Sequence, residues 1–281
     1  MGCPDWPKCF GKWIPPTDVS QLPVNYQDIY ADRGYADTHF DAYHTWVEYI
    51  NRLLGMLLGL VIFFALVYSF TIRKANPRVF ATTFISFLLI GFQGWLGSVV
   101  VASNLAPIKI SIHMVTALIL LAVLIYIYFL TQKKTIEIHE RPRYLNWLYL
   151  ALALTTIQII VGTQVRQEID VISKKMNFEF RDQWANGLSL VFFFHRSFSI
   201  LLLIVNAYIV KNILSHYKAD SSMLKSAYYL AFLITGEIMA GIILYYFDFP
   251  RVLQPAHLLL ASLIFGVQFR MLLFSGRAQV K

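Results

Sequence analysis

The chain has 281 residues, of which 57% are hydrophobic and only 14% are charged, whereas a soluble domain has about 25% charged residues. This composition excludes an ordinary water-soluble globule and indicates a membrane protein. The formal charge of +8 comes from short basic clusters between apolar runs, which argues against nucleic-acid binding and for membrane topology. The two cysteines, Cys3 and Cys9, can make one disulfide but not a four-thiolate metal site.

Seven apolar runs follow one another along the chain, each long enough to cross about 30 Å of hydrocarbon at about 1.5 Å per residue. They predict an all-α membrane protein with seven transmembrane helices. The predicted helices cover 46–72, 79–102, 109–131, 143–165, 190–213, 223–247 and 255–275.

The charges of the connections predict the orientation in the membrane. Connections on one side carry twelve basic and three acidic residues, and those on the other side carry eight basic and eleven acidic residues. Because cytoplasmic loops are rich in Lys and Arg, we expect residues 1–44 outside a bacterial cytoplasmic membrane and the C-terminus in the cytoplasm. The outer compartment is oxidising, so a bridge between Cys3 and Cys9 can persist there.

An internal repeat appears when the sequence is shifted by 144 positions. The shift aligns Asn51 with His195, Arg52 with Arg196, Gln93 with Glu237, Gly97 with Gly241 and His113 with His257. The first three runs therefore repeat as the last three, while the fourth has no partner. Such repeats usually mark two halves about a pseudo-twofold axis.

The repeat predicts two pseudo-symmetric four-helix bundles, with the first helix of the N-terminal bundle missing. Export of the outer loop requires either such an upstream helix, which we favour, or insertion of the first run with its amino end outside. The expected domains are an outer loop at 1–44, an incomplete N-terminal bundle at 45–135 and a complete bundle at 136–281.

His195 and His257 are expected at one depth on two helices of the same bundle. Ionisable groups inside a bilayer are functional hypotheses by default, and two facing histidines suit the axial positions of a haem. The alternative is that each is an ordinary core residue. The haem is favoured because Asn51 and His113 repeat the same spacing. Arg196 is expected to bind a haem propionate or, alternatively, to snorkel to lipid headgroups.

The N-terminal bundle differs because Asn51 stands where its repeat mate is a histidine. An amide is a poor ligand for haem iron, so His113 is the one good metal ligand there, and an open position suits a reacting substrate. His44 is an alternative ligand, although seven residues place it about 10 Å further out than Asn51 on a helix.

Glu48 lies three residues before Asn51 and so on nearly the same helical face. It is a candidate proton acceptor beside the first site, or alternatively a carboxylate that only caps the outer turn. Gln93 and Glu237 are expected to serve helix packing. Gly97 and Gly241 fit close contact with a helix or a porphyrin.

Several segments, in this order, resemble those of the haem A synthase family. They are CPDWPKCFGKWIPP, EYINRLLG, GFQGWLGSVVVASNL, IHM, FFHRS and PAHLLLAS. The resemblance implies an oxidoreductase of two similar four-helix bundles that oxidises the C8 methyl of haem O to the formyl of haem A by successive hydroxylation. It also implies a haem b cofactor in the C-terminal bundle, held by His195 and His257, through which electrons pass.

The resemblance assigns further roles to individual residues. It implies a catalytic role for Glu48, substrate-haem binding by His113 and a redox-active or structural disulfide between Cys3 and Cys9. Asn51 and Arg52 occupy the last two positions of the family's ExxHR motif, and Asn51 departs from its histidine. Two further departures are the missing first helix and the absence of a cysteine pair near 166–189.

The Asn51 departure leaves two alternatives to the enzyme. The protein would be a b-type haem electron carrier with a degenerate first half, or a chaperone that binds haem O without turnover. Candidate partners are haem O, the lipid bilayer, haem O synthase, an electron acceptor and a second copy of the chain.

Overall fold

The computed structural model describes residues 2–36, 39–132, 137–138, 144–216, 222–276 and 279–280. Seven long helices dominate these residues: α2 (Ala42–Thr71), α3 (Pro77–Ala102), α4 (Pro107–Thr131), α5 (Leu145–Lys175), α6 (Leu190–His216), α7 (Ser222–Tyr246) and α8 (Leu253–Gly276). The short elements are α1 (Tyr26–Ile29), 3-10 helices at Val19–Gln21, Ala31–Arg33 and Arg181–Gly187, and the paired strands β1 (Glu137–Ile138) and β2 (Gln279–Val280).

Helices α2 to α8 are each long and apolar enough to cross a membrane. Many large apolar side chains along them face outward, which is the arrangement expected when the surrounding solvent is lipid. The prediction of an all-α integral membrane protein with seven transmembrane helices is confirmed.

Helix α2 begins four residues earlier than predicted because Asp41 caps it. The Asp41 carboxylate accepts a hydrogen bond from the backbone N–H of His44 at 3.2 Å and contacts the His44 ring at 2.7 Å. An aspartate at this position satisfies one of the unpaired N–H groups of the first turn.

Helix α5 ends at Lys175, ten residues later than predicted, because charged residues past 165 extend the helix rather than end it. Arg166 and Asp170 lie one turn apart on it at 3.8 Å. Between them Ile169 packs into an apolar cluster with Trp184 and Phe192, which stabilises the extra turns. The connection between α5 and α6 therefore starts after Lys175.

The chain divides into two compact units, Met1–Leu120 and Leu121–Lys281, with the boundary inside α4. The predicted boundaries at 44 and 135 stay predictions. In the first unit α2 packs along α3. In the second unit α5 packs against α6 and α8, α6 against α7, and α7 against α8, so that four helices close a ring.

The segment before α2 folds around the cysteine pair. Cys3 and Cys9 are fully buried and form a disulfide, with a Cα–Cα distance of 4.9 Å. Phe10 lies beside them, and its ring meets those of Tyr30 and Tyr35 edge to face at 5.4 and 5.3 Å. The segment thus has an apolar core of its own.

A tight turn after Cys9 aims Phe10 into that core. Cys9 and Lys12 exchange backbone hydrogen bonds at 2.9 and 3.1 Å, and Phe10 and Gly11 between them have φ of 52° and 72°. This pair of left-handed residues is the type of turn that favours glycine. The Gly11 N–H also donates to the Asp5 carboxylate at 2.7 Å.

Candidate haem site and outer loop

His195 on α6 and His257 on α8 face each other inside the second unit. Their ring centroids are 6.4 Å apart and the ring planes are inclined by 73°. Both histidines lie within the first two turns of their helices. The two imidazoles that the repeat spacing predicts at one depth therefore lie close to each other.

This separation fits two imidazoles that share one metal ion. Two such rings on opposite sides of a metal have centroids about 6.3 Å apart, since a metal–nitrogen bond is about 2.0 Å and the centroid lies about 1.2 Å behind the nitrogen. Among the described residues no group of three or more His, Cys, Asp or Glu side chains could hold a metal ion. The pair therefore suits a metal that brings its own equatorial ligands, as haem iron does.

The ring of His195 is bordered by α5. The Gln158 side-chain amide donates to the backbone oxygen of His195 at 3.0 Å. One turn later, Gly162 leaves room for the ring, since a Cβ at this position would lie 3.1 Å from His195 Cε1. A side chain larger than hydrogen at residue 162 would press on the imidazole.

The ring of His257 is bordered by α7 in a related way. Its Nδ1 lies 3.2 Å from Glu237 Oε2, within ion-pair distance but less well aligned than a standard hydrogen bond. A Cβ on Gly241, one turn after Glu237, would lie 3.4 Å from His257 Cε1. With Nδ1 directed at Glu237, Nε2 is the nitrogen available to a metal.

His113 on α4 has the corresponding neighbours in the first unit. The Gln93 amide donates to the backbone oxygen of His113 at 2.9 Å, and a Cβ on Gly97 would lie 3.6 Å from His113 Cε1. The Gln93–Gly97 and Glu237–Gly241 pairs are those that the repeat aligns.

Glu48 and Arg52 on α2 bind each other and the outer loop. Arg52 Nη2 donates to Glu48 Oε1 at 2.6 Å, while the N–H groups of Gly2 and Cys3 donate to Glu48 Oε2 at 2.7 and 3.2 Å. Arg52 Nη1 also donates to the backbone oxygens of Asp5 and Lys8 at 2.7 and 3.0 Å. One carboxylate and one guanidinium thus hold the disulfide-closed loop on α2.

Comparison with known proteins assigns the family. The sequence profile of the COX15-CtaA family, described as cytochrome oxidase assembly protein, matches residues 1–269. The chain belongs to the COX15-CtaA family. No solved structure matches it significantly.

Curated relatives of this COX15-CtaA chain carry the name haem A synthase. The relative from Wolbachia pipientis of Culex pipiens is 25% identical over 247 residues, which are 78% of this chain and 71% of that protein. The relative from Shewanella oneidensis is 29% identical over 163 residues, 58% of this chain and 46% of that protein. The relative from Wolbachia wMel is 25% identical over 247 residues.

Two of the residues beside the histidines were not predicted from the sequence. Gln158 and Gly162 belong to α5, which has no repeat partner, so the 144-residue shift does not reveal them. A shorter pattern does, because QGWLG at 93–97, QIIVG at 158–162 and EIMAG at 237–241 share a polar residue and a glycine four positions apart. In this COX15-CtaA chain that pattern identifies the helix that borders each histidine.

The other predicted haem-binding residues are Asn51, His44 and Arg196. Asn51 is exposed on α2. His44, the alternative ligand, is half-exposed and engaged with Asp41. Arg196 is exposed, with its guanidinium 5.6 Å from the Phe193 ring centroid. The metal, substrate and propionate roles of these residues stay predictions.

Outside the membrane-spanning helices, Tyr35 supports the loop that Glu48 holds. Its hydroxyl donates to the backbone oxygen of Gly2 at 3.1 Å. Burial, with a smaller contribution from the Glu48 charge, raises the pKa of Tyr35 above its ordinary value. Tyr35 therefore stays a neutral hydrogen-bond donor across the physiological pH range.

Proposed function

We propose that this chain is a haem A synthase, an oxidoreductase that converts the C8 methyl of haem O into a formyl group. The observation that carries the proposal is the spacing of the His195 and His257 rings, which suits a haem b in a chain whose curated relatives are named for haem A synthesis. The net change adds one oxygen atom to the methyl carbon and removes two hydrogens. With water as the source of the oxygen, this change releases four electrons and four protons, so the reaction needs an electron acceptor. A bound haem b supplies one-electron redox chemistry.

The histidines of the two units have different proposed roles, one in binding the cofactor and one in binding the substrate. His195 and His257 would hold haem b as a pair. His113 would bind the iron of haem O from one face, because the position that corresponds to His195 in the first unit is Asn51 rather than a histidine. A haem that the protein ligates from one side only can leave after the reaction. A permanent cofactor such as haem b does not need to exchange in this way.

Glu48 and Arg52 would act on the substrate side. Both oxygens of Glu48 accept hydrogen bonds, from Arg52 on Oε1 and from the loop N–H groups on Oε2. To take up a proton at Oε2, Glu48 has to lose the donors from Gly2 and Cys3. We therefore propose that the outer loop helps to control when Glu48 contacts the substrate.

The proposed orientation places residues 1–44 outside the bacterial cytoplasmic membrane and the C-terminus in the cytoplasm. The excess of Lys and Arg in the opposite connections supports it. The disulfide between Cys3 and Cys9 is consistent with an oxidising outer compartment.

The test is to express the chain in membranes supplied with haem O and to analyse the extracted haems by mass. Haem in which the methyl has become a formyl supports the synthase, and the Glu48→Gln variant should then make much less of it. Unchanged haem O together with bound haem b would replace the proposal with an electron carrier, the function that Asn51 favours. Bound haem O without haem b would indicate a chaperone.

A further inference from the structure

Each of the three histidines is bordered by two residues of the helix that precedes it in the chain. The first is polar, Gln93, Gln158 or Glu237, and the second is a glycine one turn later, Gly97, Gly162 or Gly241. Two of these pairs lie in the second unit and one in the first, so the arrangement occurs on both sides of the repeat. Such recurrence indicates a common purpose rather than chance packing.

The glycines remove a Cβ where the imidazole edge lies. A Cβ would approach Cε1 of the bordered ring to 3.1 Å at Gly162, which is tighter than an ordinary van der Waals contact. The distance would be 3.4 Å at Gly241, at the limit of such a contact, and 3.6 Å at Gly97, within the ordinary range. Glycine is common where membrane helices meet, so it is the position of these three glycines beside a histidine ring that sets them apart. By contrast, a Cβ at Gly94 would meet nothing within 4 Å, and one at Gly236 would meet only Leu260, at 3.8 Å.

The polar residues differ in what they offer the histidine. Gln93 and Gln158 carry N–H donors and bind the backbone oxygen of their histidine. A carboxylate has no N–H donor, and Glu237 lies instead 3.2 Å from the ring nitrogen Nδ1 of His257. Among the described residues, Nδ1 of each of the three histidines is buried and makes no well-aligned hydrogen bond. Only Nδ1 of His257 has a carboxylate oxygen within ion-pair distance.

An acceptor on Nδ1 changes how strongly a histidine donates electrons through Nε2. A carboxylate behind a metal-bound histidine fixes the ring orientation and raises its basicity as a ligand. For haem iron, a more basic axial ligand favours the oxidised state and lowers the reduction potential. Of the three histidines in the described part of the chain, His257 is the one whose Nδ1 lies close to a carboxylate that could act in this way.

We infer that the polar-residue and glycine pairs position the three histidines for haem iron, and that Glu237 lowers the reduction potential of haem b through His257. The inference rests on the proposed binding of haem b by His195 and His257. In it, Glu237 and the glycines are positioning residues that do not touch the iron.

The first experiment measures haem b content and the spectrum of the oxidised low-spin haem in purified membrane protein. Gly162→Ala should lose several-fold more haem b than Gly241→Ala, or shift the spectrum further, because its Cβ comes closer to the ring. Gly236→Ala is the matched control and should equal the unaltered protein. Equal content and spectra in all three variants would overturn the role of the glycines.

The second experiment is a redox titration of haem b in the Glu237→Gln variant, whose side chain keeps its volume. We expect haem content to be retained and the ratio of reduced to oxidised haem at fixed potential to rise several-fold, where tenfold corresponds to about 59 mV for one electron. A purely structural role would alter content or unfolding but leave the potential unchanged, which would overturn the inference. If Glu237→Gln does not accumulate, Glu237→Asp retains an acceptor and should keep the potential low.

These measurements distinguish a failure of the proposed function from a failure of the positioning inference. If the unaltered protein binds no haem b, the proposed function fails at that step. If it binds haem b and neither the glycine variants nor Glu237→Gln shift its spectrum or potential, only the positioning inference fails.

Discussion

Arg52 donates to Glu48 across 2.6 Å, one turn apart on α2, and both side chains also bind the backbone of the disulfide-closed loop. The pair is only partly exposed, with 15% of the Arg52 side chain and 25% of the Glu48 side chain accessible. A bond of this kind is stronger than an exposed ion pair, because the same charges are satisfied by several backbone groups.

Replacement of Glu48 by Gln should loosen the outer loop as well as reduce any activity. The amide keeps the volume but weakens the bonds from Arg52, Gly2 and Cys3, and we expect a loss of about 1–3 kcal/mol in the stability of the loop. Limited proteolysis and hydrogen exchange of residues 2–12 measure it. Glu179→Gln, at an exposed position in the other unit, is the matched control; equal exchange in both variants would show that Glu48 does not hold the loop.

The first turn of α2 should become less stable in acid. Burial alone would raise the pKa of Asp41, but the hydrogen bonds and charge of His44 outweigh it and hold the pKa below its ordinary value. A carboxyl whose folded-state pKa is lowered stabilises the fold above its unfolded pKa, and this contribution is lost as pH falls through the folded value. The protection against hydrogen exchange at His44 and Thr45, corrected for the intrinsic exchange rate at each pH, should therefore fall below about pH 4.

The Asp41→Asn variant separates the charge from the cap. Asparagine is also a good N-cap, so the helix should still begin at residue 42, while the acid dependence of the protection against exchange should disappear. Persistence of the same acid dependence in Asp41→Asn would assign it to another group.

A buried amide pair should stabilise the second unit. Gln268 donates to Asn206 at 2.9 Å, and both side chains are almost fully buried. Removing one partner leaves the other unsatisfied, so Asn206→Leu or Gln268→Leu should each cost about 1–2 kcal/mol in the free energy of unfolding in detergent. The double variant should cost less than the sum, and strict additivity would show that the two amides do not interact.

Restoring a histidine at residue 51 should change haem binding in the first unit. Asn51 occupies the repeat position of His195, and Asn51→His offers His113 a second imidazole. With haem O supplied, we expect an additional low-spin signal beside that of haem b, measured by electron paramagnetic resonance. Asn51→Gln is the control and should add none; a spectrum of Asn51→His identical to that of Asn51→Gln would place residue 51 outside the haem pocket.

The lengths of the apolar runs and the spacing of the repeat predict much of the fold and the histidine pair. Seven runs predict seven spanning helices because backbone groups in lipid have to bond within their own helix. Equal spacing predicts the pairing of His195 with His257 because helices of one bundle are nearly parallel. The overrun of α5 past residue 165 was not predictable in this way, since its extra turns are stabilised by contacts with Trp184 and Phe192 from later in the chain.

Other features depend on contacts distant in sequence. Nothing around Glu48 indicates that the N–H groups of Gly2 and Cys3, more than forty residues earlier, donate to it. The pairing of Gln158 with His195 likewise spans 37 positions. Side-chain partners of this kind follow from how helices and loops meet, which periodicity alone does not specify.

The closed ring formed by α5, α6, α7 and α8 has a consequence for biogenesis. A haem held between His195 and His257, as proposed, would be enclosed by these four helices, and its sideways entry would require neighbouring helices to part. Such a haem should survive detergent extraction and chromatography, and a cell starved of haem should contain less of the folded C-terminal bundle.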